Sequence, residues 1–263
     1  MNDKQLTFFQ DWFRQHTKSF QETDPLHQRS LDVKEEHTFR VCAASERIAA
    51  GLGLAENDRR IAAVIALFHD LGRFPQYQQY RTFRDPDSDN HAKLSLWELN
   101  RHRVLHALDP AERQLISRAI FFHNRLHLPG NLEHNTRLHS QLIRDADKID
   151  ILRVMIEHFH QEKSQRNPVV TLGLKEDPLV REEVYRLLLS QKTMSYTKLK
   201  TVNELKVLQM GWVFDINFQP ALAIIHERND IDRLAATMPE TPQLREALDF
   251  INDHIRQRLH SEP

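Results

Sequence analysis

Apolar positions recur at three- and four-residue intervals through most of this chain, and strict alternation is scarce. The pattern therefore predicts helices rather than strands. The spacing places them at about residues 3–20, 31–52, 57–71, 89–107, 110–127, 136–162, 180–192, 202–214, 219–228 and 243–260. Asp109-Pro110-Ala111-Glu112 reads as a helix start, with Asp109 capping, Pro110 at the first position and Glu112 able to complete a capping box. Two stretches break the periodicity. Residues 73–88 mix arginines with aromatics after a helix end, and residues 164–179 carry two prolines and a glycine. The expected fold is all-α: one helical domain with its core over about residues 25–160 and a C-terminal helical extension over about 164–263.

Several polar residues interrupt the apolar stripes. His37 lies on the face of Val41, Ala44 and Ile48, at offsets of 4, 7 and 11, so it points to the core. His123 shares a stripe with Ile116, Ala119 and Ile120. Asp145 is the sole polar member of the stripe Leu138, Leu142, Ile149, Leu152 and Ile156. A lone buried carboxylate costs several kcal/mol unless it is paired or metal-bound. Asp147 lies about 200° away on a more mixed face, which makes Asp145 the stronger ligand candidate and predicts a greater metal loss for Asp145→Ala than for Asp147→Ala. His69-Asp70 closes the apolar helix VIALFHDLGRF just before Gly72, and His91 falls in the first turn of its helix. The dipeptide alone means little, since composition alone supplies about one such pair by chance. Five metal-compatible side chains on separate helices mean more, although each singly could be a hydrogen-bonded core residue.

Composition narrows the classes. The chain has 263 residues, with 36 Lys plus Arg against 37 Asp plus Glu and a formal net charge of −1. That balance argues against a polyanion-coating protein, so nucleic acid is not an expected partner. The single cysteine, Cys42, excludes an internal disulfide framework and a Cys-based zinc site, and suits a reducing compartment. No apolar run reaches the roughly 18 residues of a membrane span, and charges run through the N-terminal segment, so a soluble cytoplasmic protein is expected. Sixteen histidines supply ligands for transition metals.

The order His37, His69-Asp70, Asp145 resembles the H…HD…D pattern of the HD superfamily of metal-dependent phosphohydrolases. The surrounding segments are similar too: EEHTFRV, FHDLGRFPQYQQYRTFRDPDSDNHAKLS, AIFFHN, LIRDADKID and, late in the chain, WVFDINF at residues 212–218. The resemblance implies an all-helical fold in which His37, His69, Asp70 and Asp145 bind a first divalent metal. His91 and His123 would bind a second, with Asp70 bridging. It implies attack on phosphorus by a metal-activated hydroxide, cleaving a phosphomonoester, phosphodiester or pyrophosphate, with a nucleotide as the expected substrate. Imidazole ligands favour Fe, Mn, Co, Ni or Zn over Mg, with one or two ions per chain.

Arg73 stands where some members of the family carry lysine, and its bidentate fork suits phosphate oxygens better than proton transfer. The catalytic residues expected are thus Asp70 and Arg73. Arg81, Arg84, Lys93 and Lys148 are further candidates for substrate anions, with Tyr77, Tyr80 or Phe83 stacking on a base. The same loop could equally be an ordinary surface anchored by its aromatics, and Lys148 could pair with Asp145 or Asp147. Other functions remain open: a non-catalytic metal- or nucleotide-binding regulator using the same pocket, or a purely structural helical protein. Substrate identity, leaving-group acid and oligomeric state are not legible in the sequence.

Overall fold

The computed structural model describes residues 1–192 and 194–260, and among them the regular elements are all helical. They are α1 (Asp3–Thr17), α2 (Pro25–Gly51), α3 (Glu56–Phe68), α4 (Arg73–Tyr80), α5 (His91–Arg101), α6 (Pro110–Phe122), α7 (His134–His160), α8 (Glu182–Leu189), α9 (Val202–Met210), α10 (Gln219–Glu227), α11 (Asp230–Ala235) and α12 (Pro242–His260). Short 3-10 turns link several of them, and one isolated bridge joins Lys175 to Thr201. The all-α expectation holds.

The chain divides into two compact units, Met1–Asp147 and Lys148–Pro263. The division falls inside α7, upstream of the expected boundary near 160–164, and α1 belongs to the first unit. In that unit, α3 is the most apolar helix, with Ile61, Ala62 and Val64 through Phe68 all buried. Phe9 and Phe13 of α1 are at most 1% exposed and meet the Phe68 ring at 5.9 and 6.4 Å, so the N-terminal aromatics cover the chain's own core. The expected cap at Asp109 forms, accepting from Ala111, and α2 starts earlier than its stripe suggests, with Asp24 accepting from Leu26 and His27 ahead of Pro25. Glu112 instead meets the Met1 amino group at 2.6 Å.

Residues 73–88 are more ordered than their sequence suggests. They form α4 and a 3-10 turn at Asp85–Asp87. An eight-residue helix rich in glutamine, with proline in its first turn, shows no apolar stripe long enough to read. Tyr77 and Phe83 are buried anchors, Tyr77 donating to Ser30 Oγ at 3.0 Å, and neither is free to stack on a base. Tyr80 donates to Asp89 at 2.7 Å.

In the second unit, Leu205, Val207, Met210, Val213, Ala221, Leu222, Leu234, Ala247 and Ile251 form a fully buried core. Helix α9 is buried on every side, and its two charged members have partners. Glu204 meets Arg181 at 2.6 Å, and Lys206 donates to the Thr237 carbonyl at 3.0 Å. Residues 164–179 hold two 3-10 turns and the Lys175 bridge.

Candidate metal centre

Five elements of the first unit deliver side chains to one buried centre. Helix α2 brings His37, and the turn that ends α3 brings His69 and Asp70. His91 opens α5, His123 ends α6, and Asp147 comes from α7. Gly72 makes this convergence possible. A Cβ there would lie 2.2 Å from the His91 carbonyl oxygen and 2.5 Å from the Ser95 nitrogen, so only glycine lets the His-Asp turn touch α5. Ser95 joins the two, accepting from Gly72 N at 2.8 Å and donating to the His69 carbonyl at 2.9 Å.

The ligand atoms form two sets around Asp70. On one side, His37 Nε2 lies 3.1 Å from Asp147 Oδ1 and 3.6 Å from Asp70 Oδ2. His69 Nε2 is 3.7 Å from Asp147 Oδ1 and 3.9 Å from Asp70 Oδ2. On the other side, Asp70 Oδ1 is 3.4 Å from His91 Nε2 and 3.8 Å from His123 Nε2. The two oxygens of one carboxylate thus face two pairs of imidazoles. Bonds of 2.0–2.2 Å to a shared cation would put ligand atoms roughly 3–3.5 Å apart, so modest contraction turns each set into a coordination sphere.

The tautomers are fixed by carbonyls and a carboxylate. His69 Nδ1 donates to Ala66 O and His123 Nδ1 to Ile120 O, both at 2.7 Å, and His91 Nδ1 donates to Asp85 at 2.8 Å. With Nδ1 so engaged, the neutral form of each ring presents its Nε2 lone pair to the centre. The buried His69 Nε2 has no hydrogen-bond partner. His91 and His123 bring their Nε2 atoms to 2.9 Å. Burial, helped by the charge of Arg73, pushes the His91 pKa down to about 3, so His91 is neutral and offers no second proton. Two bonds of 2.0–2.1 Å at a right angle would separate such nitrogens by roughly 2.9 Å. The donor set therefore fits divalent cations, and the residues present suit two.

The charges agree. Burial alone would raise the Asp70 pKa, but Lys34, Arg73 and His69 outweigh it and hold the carboxyl well below its usual range. Against the same burial, His37 and His69 hold Asp147 low, and His91 with Arg73 holds Asp85 low. Three ionised carboxylates stand against Lys34 and Arg73, an electronegative centre ready for cations.

Outer partners orient the ligands. Asp85 fixes His91 and accepts from Gln76 at 3.0 Å and from Asn124 at 3.2 Å. Arg144 of α7 donates to the His123 carbonyl at 3.3 Å. Such contacts set ligand orientation and affinity.

Several expectations need correcting. Asp145 is fully buried as its stripe requires, but Asp147 is the α7 carboxylate beside His37 and His69. Burial marked the face of α7 that packs in the core, whereas the ligand cluster takes the more mixed face. Arg73 is not an open fork for phosphate. Its guanidinium meets Asp70 at 3.3 Å, Gln76 at 2.9 Å and Asp85 at 3.1 Å, tying the two carboxylates together. Arg81 pairs with Glu22 at 2.6 Å and Arg84 with Asp87 at 3.0 Å, both near the surface, and Lys93 lies on the exposed side of α5. Lys148 is taken by the Asp215 side chain and carbonyl rather than by Asp145 or Asp147. Three contributors were missed. Lys34 donates to Asp70 Oδ2 at 2.8 Å, and its i,i+3 relation to His37 signals the shared face. Asp85, six residues before His91, and Asn124, beside His123, carry no comparable periodic signal.

Residues 35–152 match the family model of the HD domain. The chain contains an HD domain. The match spans every residue of the two ligand sets. HD domains form a superfamily of metal-dependent phosphohydrolases, and the His/Asp groups of this HD centre could hold metal. No curated protein and no solved structure matches the chain. Among the described residues, no helix is long and apolar enough to cross a membrane.

Proposed function

We propose that the protein is a hydrolase of phosphomonoester, phosphodiester or pyrophosphate bonds in a small phosphorylated molecule, with a nucleotide as the substrate class. The observation that carries this reading is the Asp70 carboxylate set between the pairs His37/His69 and His91/His123. Asp147 completes the first set, so His37, His69, Asp70 and Asp147 would hold one ion and Asp70, His91 and His123 the other. Imidazole donors favour Fe, Mn, Co, Ni or Zn over Mg. When bound, such ions would supply Lewis-acid charge to phosphoryl oxygens and lower the pKa of bound water.

The chain's own groups do the rest. Asp70 positions both ligand sets, and Arg73 locks Asp70 and Asp85 in their orientations. Lys34 donates one of its three ammonium protons to Asp70 at 2.8 Å and, with its side chain 16% exposed, can turn the others toward a substrate. Its ammonium suits a phosphoryl oxygen or a proton donation from Nζ to the leaving oxygen, the two roles that the engaged Arg73 does not fill.

The test is turnover of an aryl phosphate, a bis-aryl phosphodiester and a panel of nucleotides, with Mn, Co, Ni or Zn added. Turnover abolished in Asp70→Ala, with helicity and melting retained, supports the reading. Metal-replete protein that binds nucleotides but turns over none of these compounds overturns it in favour of a regulatory pocket.

A further inference from the structure

A second set of metal-competent side chains converges in the first unit, away from the HD centre. Helix α1 contributes His16. Helix α5 contributes Glu98, and His102, the residue that caps its C-terminus, follows four positions later. Glu98 follows His91 by two turns of α5, roughly 10 Å along the axis. Glu98 Oε2 lies 3.0 Å from His16 Nε2 and 3.4 Å from His102 Nε2, and the three ligand atoms fall within 4.8 Å of one another. A tetrahedral ion with bonds of 2.0–2.1 Å spaces its ligand atoms roughly 3.3 Å apart.

Three features separate this trio from a solvated pair of histidines. Glu98 is only 3% exposed, and among the described residues its carboxylate is met by these two imidazoles alone. The buried His16 Nε2 makes no hydrogen bond, although a carboxylate oxygen stands 3.0 Å away. Packing fixes the His16 ring, with Trp12 stacked on it at 4.4 Å and Phe20 edge-on at 5.2 Å. A buried carboxylate with such incomplete pairing is costly, and one divalent ion would satisfy all three groups. His102, with its side chain 39% exposed, leaves a side open for water as a fourth ligand.

We propose that His16, Glu98 and His102 form a further cation site for a zinc-class ion, and that the ion clamps α1 to the C-terminal end of α5. The role is structural, so the clamp does not depend on what the HD centre hydrolyses.

The test counts zinc per chain after equilibration with micromolar Zn2+ and gel filtration, for wild type, Glu98→Gln and His102→Ala. His102 is exposed, so its alanine variant is expected to fold. Both variants should carry one ion fewer than wild type. In a His69→Ala/His123→Ala background that disables the HD centre, one ion should remain and disappear when His102→Ala is added. Zinc should also raise the melting temperature of that background by several degrees, reversibly with chelator, and not once His102 is replaced. An unchanged zinc count in both single variants overturns the proposal, whatever the HD centre binds.

Discussion

Gly72→Ala puts the architecture of the centre to a direct test. The backbone at Gly72 has φ −66°, so alanine is acceptable to the chain itself and the whole effect comes from approach. The added Cβ would stand 2.2 Å from His91 O and 2.7 Å from Leu94 Cβ. Relief requires the His-Asp turn and α5 to part by roughly 1 Å, since ordinary contacts lie near 3.5 Å. Parting also lengthens the Ser95 hydrogen bonds, now 2.8 and 2.9 Å. Overpacking of this kind costs about 1–3 kcal/mol, and a lost buried hydrogen bond about 1 kcal/mol more. The expected total of about 2–4 kcal/mol corresponds to a fall in melting temperature of roughly 4–16 °C for a chain of this size. Because His91 moves with α5, the cation shared by Asp70, His91 and His123 should bind about 10–100-fold more weakly, as when an outer partner of a ligand is lost. The set of His37, His69 and Asp147 should change less. Gly130→Ala is the control, since nothing lies within 4 Å of a Cβ there. Calorimetric metal titration and thermal melting read both effects. A Gly72→Ala protein that melts like wild type and binds both cations normally would refute the close-approach argument.

Other substitutions separate the remaining roles. Asp147→Ala should abolish tight binding at the first set, whereas Asp145→Ala should keep both cations and lose stability; metal titration beside melting curves checks the order. Asp85→Asn removes the carboxylate that fixes His91 Nδ1, and isothermal titration should show the second cation weakened about 10–100-fold while the first is retained. Lys206 in the second unit has its pKa lowered to about 8 by burial and then by Arg166, from an ordinary value of 10.5. Between those values the unfolded chain binds the proton and the folded chain does not, so this lysine's cost to stability fades as pH rises from 8 to 10.5. Melting temperatures of wild type should therefore rise relative to Lys206→Met across that window, and parallel profiles would contradict the assignment.

Much of the fold was legible because its long helices carry unbroken stripes. Ile61–Phe68 and Leu142–Ile156 announce themselves by period alone, and the cap at Asp109 sits where a side-chain oxygen can meet a free backbone N–H group. Helices α4 and α11 escaped for the opposite reason, having eight and six residues and no room for a repeat. At the centre, His37 and His123 were found because each interrupts a buried stripe. The same logic failed on α7, where core packing and the ligand cluster use different faces, so the most buried aspartate of that helix was not the one that meets the histidines. Arg73 was misread because sequence shows its charge and not its partners. Lys34 shares its helix face with His37, whereas Asp85 reveals itself only when the turn after α4 is set beside the His-Asp turn.

The central claim is that Asp70 bridges two cation sites. Its most direct test is a crystal structure of protein equilibrated with Mn2+ or Zn2+, with anomalous difference maps collected across the metal edge. Two peaks about 3.5–4 Å apart should flank Asp70, one reached by His37, His69 and Asp147 and the other by His91 and His123. A single peak that Asp70 does not touch, or a peak held by Asp145 in place of Asp147, would contradict the account.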